Sequence, residues 1–287
     1  MAAIIQQLIA GYKYINEDLA DPRTQDYFMI STPWPCIALL GFYIYLIYYI
    51  GPRFMTRRQP FQLNRILQIY NLSQIILNAY IFYKALTLAW LREYSYICEP
   101  IDYSYSPKAI EITRVVWYYF MVKILDLLET IFFVLRKKQN QVTFLHVYHH
   151  VGITMGTWGA SKYVAGGHVT FLGLLNTFVH VIMYTHYLLS SMKIDTSSWK
   201  KYITQLQMVQ FFLIILHDGQ LFWVKGCSFP LWPAYVMIPQ NIFMIILFGD
   251  FYYKTYIKKR STIRVAPRKT ETNGISADIS KEESKEQ

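Results

Sequence analysis

Long apolar segments alternate with short charged segments along the 287 residues of this chain. Residues 34–50 contain no charged residue, and the length of this segment is close to the minimum of about 17 residues for a helix that crosses a bilayer. Six further apolar segments are also long enough to cross as helices. The predicted spans cover residues 34–50, 66–90, 112–135, 142–161, 168–190, 202–224 and 232–256.

The composition favours a membrane protein over a soluble one. Hydrophobic residues make up 54% of the chain and charged residues only 16%, whereas soluble proteins carry about 25% charged residues. We therefore predict an all-α, polytopic membrane protein with a single transmembrane domain over residues 1–257. Residues 258–287 contain almost no large apolar residues and are predicted to form a disordered cytosolic tail.

The Lys and Arg residues concentrate in one set of loops, which the positive-inside rule assigns to the cytosol. The opposite loops hold few basic residues, and the C-terminus is then cytosolic. Topology and attraction to anionic lipid account for most of the net charge of +10, so we expect no nucleic-acid partner. The basic loops lie at residues 53–65, 136–138, 193–201 and 254–269.

Polar residues interrupt four of the predicted spans, where ionisable groups are costly and usually functional. Within each span they recur every three or four residues and share one helix face. Counted from the cytosolic ends, they lie at a similar depth of about 5–15 Å. This pattern predicts a reaction chamber open to the cytosol. The residues are Lys123, Asp126, Glu129, Thr130, His146, His149, His150, Asn176, His180, Tyr184, Thr204, Gln207 and Gln210.

The spacing HxxHH at residues 146–150 allows two kinds of chemistry. Imidazole is a ligand for iron or zinc, but a di-iron centre needs more histidines than this depth offers, because His168, His186 and His217 are poorly placed and are predicted to be structural. A mononuclear zinc site that includes a carboxylate stays open. Alternatively, one histidine is a nucleophile, a second moves protons, and Asp126 or Glu129 orients a ring. Amide side chains would then donate to an oxyanion.

The sequence around this cluster closely resembles the very-long-chain fatty acid elongases, the ELO family of 3-ketoacyl-CoA synthases. The resemblance extends from about residue 22 to about residue 259, and FFVLRKK followed by QVTFLHVYHH is its most specific part. The matching segments are DPR (21–23), GPRFM (51–55), YSYSP (103–107), FFVLRKK (132–138), QVTFLHVYHH (141–150), AGGH (165–168), LNTFVHVIMY (175–184) and TQLQMVQF (204–211).

The resemblance implies seven transmembrane helices, six of them around a closed acyl tunnel, in the endoplasmic reticulum membrane with the active site open to the cytosol. It implies condensation of a long-chain acyl-CoA with malonyl-CoA to a 3-ketoacyl-CoA, with release of CoA and carbon dioxide and with no metal or other cofactor. His149 is then the nucleophile that forms an acyl-histidine. His180 is its partner for proton transfer, and His146 and His150 position groups or handle protons.

The remaining predicted site residues follow from their place in these motifs. Family members usually read Lys-x-x-Glu-x-x-Asp-Thr where this chain has its acids exchanged, so the individual roles of Asp126 and Glu129 stay open. The expected partners are the two CoA thioesters, endoplasmic reticulum lipid, a second copy of the chain and the other elongation enzymes. Predicted as catalytic, besides the histidines, are Asp126, Glu129 and Asn176; predicted as substrate-binding are Lys123, Arg136, Lys137, Lys138, Tyr184, Gln207 and Gln210.

Two of the three cysteines, Cys98 and Cys227, fall in predicted lumenal loops. An oxidising lumen allows them to form a disulfide, although their spacing is equally compatible with two free thiols.

A metal-dependent oxygenase or hydrolase and a non-enzymatic receptor or transporter are the alternative classes. The charged residues cluster in the cytosolic half of the membrane rather than at its midplane, which disfavours a transporter.

Overall fold

A computed structural model describes residues 1–91 and 93–258. Within these two ranges the regular structure is helical, without strands. The predicted disordered tail lies outside the described residues, apart from Lys258. The α-helices are α1 (Ala2–Lys13), α2 (Trp34–Tyr45), α3 (Gly51–Met55), α4 (Asn64–Ala85), α5 (Pro107–Leu135), α6 (Phe144–Tyr163), α7 (Thr170–Ser191), α8 (Trp199–Gly219) and α9 (Trp232–Tyr252).

Side-chain caps fix the start of α5, which carries Lys123 and the two acids, and of α6, which carries the histidine motif. The Ser106 hydroxyl accepts a hydrogen bond from the Ala109 N–H at 3.2 Å, and Thr143 accepts one from the His146 N–H at 3.2 Å, as is typical of N-cap residues. Between the helices, Lys137 adopts a positive φ of 54°. The short connection returns the chain antiparallel to α5, so the start of α6 lies beside the end of α5.

Within residues 1–91 and 93–258, four helical segments are long and apolar enough to cross a membrane. They coincide with four predicted spans and confirm an all-helical, multi-pass membrane protein. The other three predicted spans fall on α5, α6 and α8, which hold the charged, histidine and glutamine residues and are less apolar. The count of seven spans therefore stays a prediction. The four segments are Trp34–Met55, Asn64–Trp90, Gly167–Ser191 and Trp232–Lys258.

The helices α4 to α9 surround a common interior. α7 packs between α4 and α8, α9 packs along α8, and α5 packs against α4 and α6. α2 and the helical turn Leu46–Ile50 that follows it lie outside this group, where Leu40, Tyr43 and Ile47 pack against Phe120 of α5 and Trp158 of α6. Residues from all six helices line a cavity of about 870 Å³. The closed acyl tunnel stays a prediction.

Buried polar contacts tie the connecting segments together at the C-terminal end of α6. Arg23 pairs with Asp21 at 2.6 Å, and the Lys162 ammonium donates to the Ile30 and Ser31 carbonyls. Gly167, in the AGGH motif, has a φ of +65°, and a Cβ there would lie 2.9 Å from the Glu99 carbonyl oxygen. That position requires glycine because the backbone conformation and the close approach both exclude a side chain.

Cys98 and Cys227 form a disulfide across a sequence separation of 129 residues. It joins the connection between α4 and α5 to the connection between α8 and α9. Cys36 is a free thiol buried in α2. The bond closes a long loop, and long loops are the ones that a disulfide constrains most in the unfolded chain.

Replacing both cysteines, in Cys98→Ser/Cys227→Ser, should lower the free energy of unfolding by about 2–4 kcal/mol. Thermal unfolding of the purified protein in detergent measures this change. Wild-type protein treated with a reductant is the matched control and should unfold at the same lowered temperature. A double variant that unfolds at the temperature of the untreated wild type would show that the bond does not stabilise the fold.

Candidate active site

A buried ion pair lies at the centre of the candidate site. Lys123 and Asp126 are one turn apart on α5, with Lys123 Nζ 3.0 Å from Asp126 Oδ2 and both side chains almost completely buried. From α7, His180 Nδ1 lies 3.3 Å from Lys123 Nζ and 3.7 Å from Asp126 Oδ2. The Tyr184 hydroxyl donates to Asp126 Oδ1 at 2.9 Å. The structure thus brings together four of the predicted site residues.

We assign the proton of the neutral His180 ring from its contact with a protonated Lys123. A protonated lysine donates hydrogen bonds and cannot accept them. Because Lys123 Nζ lies within hydrogen-bond distance of His180 Nδ1, Nδ1 is the acceptor. The neutral ring therefore carries its proton on Nε2, where it is available as a donor.

The His146 and His150 rings lie together against the end of α5. Their centroids are 4.2 Å apart. His146 Nε2 lies 2.8 Å from Thr130 Oγ1, which in turn lies 2.7 Å from the Tyr43 hydroxyl. His150 Nε2 lies 3.8 Å from Glu129 Oε2. Contacts with α5 and α2 therefore hold these two rings in place.

His149 lies apart from this pair and lines the cavity. Its ring centroid is 5.5 Å from that of His150 and 6.5 Å from that of Phe248 in α9. Among the described residues, neither of its ring nitrogens has a hydrogen-bond partner. The sequence predicts one common direction for all three rings, and the structure divides them. The reason is that positions i+3 and i+4 lie on opposite sides of position i, roughly 100° apart.

Asn176 and Gln210 are among the amide side chains of the cavity wall. The Tyr119 hydroxyl donates to Asn176 Oδ1 at 2.8 Å, which leaves the N–H groups of the Asn176 amide as donors. Gln210 is 4% exposed, and its Oε1 has no hydrogen-bond partner in the described part of the chain. The rest of the lining is predominantly apolar.

The predicted basic cluster is not part of this chamber. Arg136 is half-buried and Lys137 and Lys138 are exposed at the C-terminal end of α5, about 20 Å along the helix from Lys123 at 1.5 Å per residue. Gln207 also lies away from the cavity wall, with its Nε2 3.7 Å from Met183 Sδ. The structure therefore separates Lys123 from the other three basic residues with which the sequence groups it.

The remaining histidines lie outside the cavity lining, as far as the described residues show. The His168 and His217 rings stack with centroids 3.7 Å apart, and His168 Nε2 lies 3.0 Å from the His217 carbonyl oxygen. His186 Nδ1 lies 2.7 Å from Thr196 Oγ1. These contacts agree with structural roles.

One group of side chains has the spacing of a metal site. Glu129, His146 and His150 each offer a ligand atom, and these atoms lie within 4.8 Å of one another. One carboxylate and two imidazoles are a ligand set that zinc accepts. His146 Nε2 is within hydrogen-bond distance of Thr130. The geometry therefore permits either a metal or a hydrogen-bonded histidine pair.

Sequence reasoning missed three tyrosine and glutamine side chains of the chamber. Tyr119 precedes Lys123 by four residues, so it shares the same face of α5, and its ring centroid lies 4.9 Å from the Lys123 ammonium. Tyr148 lies inside the histidine motif and donates to Gln240 Oε1 at 2.7 Å. Gln240 is a polar residue in an apolar helix. A polar residue inside a predicted span is a candidate site residue, and this rule could have identified Gln240.

These features define a class of protein, a multi-pass helical membrane protein whose interior holds histidines and a buried ion pair beside an apolar cavity. The family model described as "ELO: GNS1/SUR4 family" matches residues 28–263 of the chain. The chain therefore belongs to the ELO family.

Several curated relatives are similar to most of this chain. It is 40% identical over 252 residues to "Very long chain fatty acid elongase 7" of Drosophila melanogaster, covering 87% of this chain and 77% of that protein. It is 38% identical over 266 residues to "Very long chain fatty acid elongase 1" of Mus musculus, covering 90% and 92%. For "Very long chain fatty acid elongase 4" of Homo sapiens the identity is 39% over 269 residues, covering 92% and 84%. The family and these relatives make the chain an enzyme of fatty acid elongation.

The buried ion pair gives a stability prediction. Asp126→Asn leaves the Lys123 charge buried without its partner and should lower the free energy of unfolding by about 3–5 kcal/mol. The exposed pair Lys254–Asp250, with its charged atoms 2.7 Å apart, is the matched control, and Asp250→Asn should change it by no more than about 1 kcal/mol.

Thermal unfolding in detergent measures both changes. The double variant Lys123→Met/Asp126→Leu removes both charges and should recover most of the lost stability while remaining inactive. Equal effects of Asp126→Asn and Asp250→Asn would contradict a buried, charged Lys123.

Proposed function

We propose that this protein is a very-long-chain 3-oxoacyl-CoA synthase, which condenses a long-chain acyl-CoA with malonyl-CoA. The observation that carries the proposal is the position of His149, a ring without a hydrogen bond to the described residues, on the wall of a predominantly apolar cavity. Such a cavity suits a long hydrocarbon chain, and an imidazole suits attack on a thioester. The names of the relatives support the same reaction pathway.

In the first step, His149 takes the acyl group. Its imidazole nitrogen attacks the thioester carbon, and the C–S bond breaks. The CoA thiolate takes up the proton that the acylated ring gives up. Asn176 donates to the developing oxyanion, because Tyr119 occupies the oxygen of its amide and leaves the N–H groups free for this role.

In the second step, malonyl-CoA takes the place of CoA. Its bond to the free carboxylate breaks, carbon dioxide leaves, and the electron pair remains on the carbon next to the thioester. This carbon attacks the acyl carbon, the bond to His149 breaks, and 3-ketoacyl-CoA forms. His180 relays one proton through Nε2 to the leaving imidazole, and Lys123 supplies a proton at Nδ1. The full cycle consumes one proton, which the cytosol returns to Lys123.

We assign Lys123 to this inner role rather than to the phosphates of CoA, because Asp126 and His180 occupy its ammonium group. Arg136, Lys137 and Lys138 remain the candidates for the phosphates, at the end of α5 where three positive charges follow one another. We propose that the CoA moiety binds on the cytosolic side of the endoplasmic reticulum membrane and that the C-terminus lies on the same side. A homo-oligomer and association with the other elongation enzymes stay predictions.

The reaction is tested with purified protein in lipid vesicles, radiolabelled malonyl-CoA and a panel of acyl-CoA lengths. We expect labelled 3-ketoacyl-CoA and one carbon dioxide per product. His149→Ala should lower the rate by at least about 10³-fold if the residue forms the covalent intermediate. His186→Ala is the matched control, since His186 lies outside the cavity lining and should retain the wild-type rate within about threefold. Equal rates for the two variants would contradict the proposal.

A metal-dependent hydrolase or oxygenase is the second candidate function, and the spacing of Glu129, His146 and His150 favours it. Elemental analysis and chelation distinguish the two functions. The first proposal expects substoichiometric zinc and iron and unchanged condensing activity after chelation. Activity that is lost with a chelator and restored by added zinc or iron would favour the second.

A further inference from the structure

The cavity is exposed on one side, between α6 and α9. None of the wall residues that α5 and α7 contribute is exposed, and several are buried, for example Tyr119 at 6% and Asn176 at 3% exposure. Several wall residues from α6 and α9 are exposed. Met155 of α6 is 36% exposed and Val236 of α9 is 59% exposed. The cavity therefore reaches the outer surface of the helix bundle through a gap between these two helices.

Glycines form the α6 edge of this gap. Gly152, Gly156 and Gly159 all line the cavity. A Cβ added at Gly156 or Gly159 would meet no other atom within 4 Å, and one at Gly152 would meet only Gln240 Nε2 at 3.7 Å. No side chain of α6 reaches across at these three positions, so the space beside them stays open.

Two aromatic contacts close the gap at its ends. Tyr148 bonds to Gln240 and its ring centroid lies 5.2 Å from that of Phe243. At the other end, the centroid of Tyr163 lies 6.2 Å from that of Trp232. Between them, the glycine edge extends about 10 Å along α6. We call this opening the α6–α9 slot.

Proline contributes to the slot from the α9 side. Pro239 lies inside α9 and lines the cavity. It has no N–H to donate to the Tyr235 carbonyl, and its ring crowds that carbonyl, which bends a helix. The part of α9 that faces the glycine edge is therefore less firmly held than the part that follows Pro239.

We propose that the α6–α9 slot is a lateral portal through which the hydrocarbon chain of the acyl substrate passes between the bilayer and the cavity. The inference rests on the proposed function. A long acyl chain resides in the hydrocarbon of the membrane, and each methylene that leaves it for water costs free energy. Sideways passage through the slot transfers the chain from lipid to an apolar cavity without that cost.

An unpartnered polar atom in the inner part of the cavity favours a site for a polar group of the ligand. Gln210 is almost completely buried, and its Oε1 has no partner among the described residues. A buried polar atom without a partner is costly, and a polar group of a bound thioester or its product would supply one. The acyl chain then extends from His149 and Gln210 toward the slot.

The first test fills the slot. The substitution is Gly156→Leu, because nothing lies within 4 Å of a Cβ added at this position. We expect kcat/KM for stearoyl-CoA to fall by about tenfold or more, and that for the water-soluble decanoyl-CoA to change by less than about twofold. Gly41→Leu is the matched control, since Gly41 lies on α2, away from the cavity, with equal space around it. It should match the wild type with both substrates.

The second test measures access from lipid. Gly156→Cys protein is placed in vesicles that contain a phospholipid with a maleimide on its acyl chain, and Gly41→Cys is the control. Both cysteines should react, and stearoyl-CoA added without malonyl-CoA should slow the reaction at position 156 only. Reaction at 156 that stearoyl-CoA does not slow, or labelling by a water-soluble maleimide alone, would overturn the portal.

The outcomes separate this inference from the proposed function. Wild-type protein that makes no 3-ketoacyl-CoA from either substrate contradicts the function. Wild-type protein that is active, together with a Gly156→Leu variant that keeps full activity on stearoyl-CoA, contradicts the portal alone. A variant that merely shortens the longest product, with unchanged kcat/KM for stearoyl-CoA, also contradicts it, because the glycines would then form only a wall.

Discussion

The buried pair of Lys123 and Asp126 is the constraint on which the interior depends. The two opposite charges lie 3.0 Å apart in a largely apolar bundle. Each offsets the cost of burying the other, and further hydrogen bonds must satisfy their remaining polar atoms. Tyr184 and His180 supply these contacts from α7. The pair therefore holds α5 against α7. With Lys123 protonated, the same pair also leaves the proton of His180 on Nε2.

The division of the histidine motif follows from this packing. α5 also presents Thr130 and Glu129 to His146 and His150, which holds these two rings at the helix contact. His149 is left without such a partner and lies on the cavity wall. A nucleophile needs a free nitrogen and a substrate beside it, and among the three rings His149 meets both conditions. The other two rings brace the helix that carries it.

Much of this arrangement could be predicted from the sequence, because helical spacing places Lys123 and Asp126 on one face and His180 and Tyr184 on another. Three features could not be predicted from the sequence. The separation of Lys123 from Arg136 depends on which charge pairs with it, and sequence spacing does not reveal that. The direction of His149 depends on which side of α6 packs against α5, and helical spacing alone does not decide that. The open side of the cavity depends on the space beside Gly156 and Gly159, which is a tertiary property.

The most direct test of His149 as the nucleophile is the intact mass of the purified protein after incubation with acyl-CoA alone. We predict a mass increase of one acyl group, free CoA in equal amount and, after proteolysis, the acyl group on the peptide that contains His149. The adduct should be absent in His149→Ala and present in His186→Ala. Release of CoA only when malonyl-CoA is also present, with no adduct at any time, would contradict the covalent mechanism.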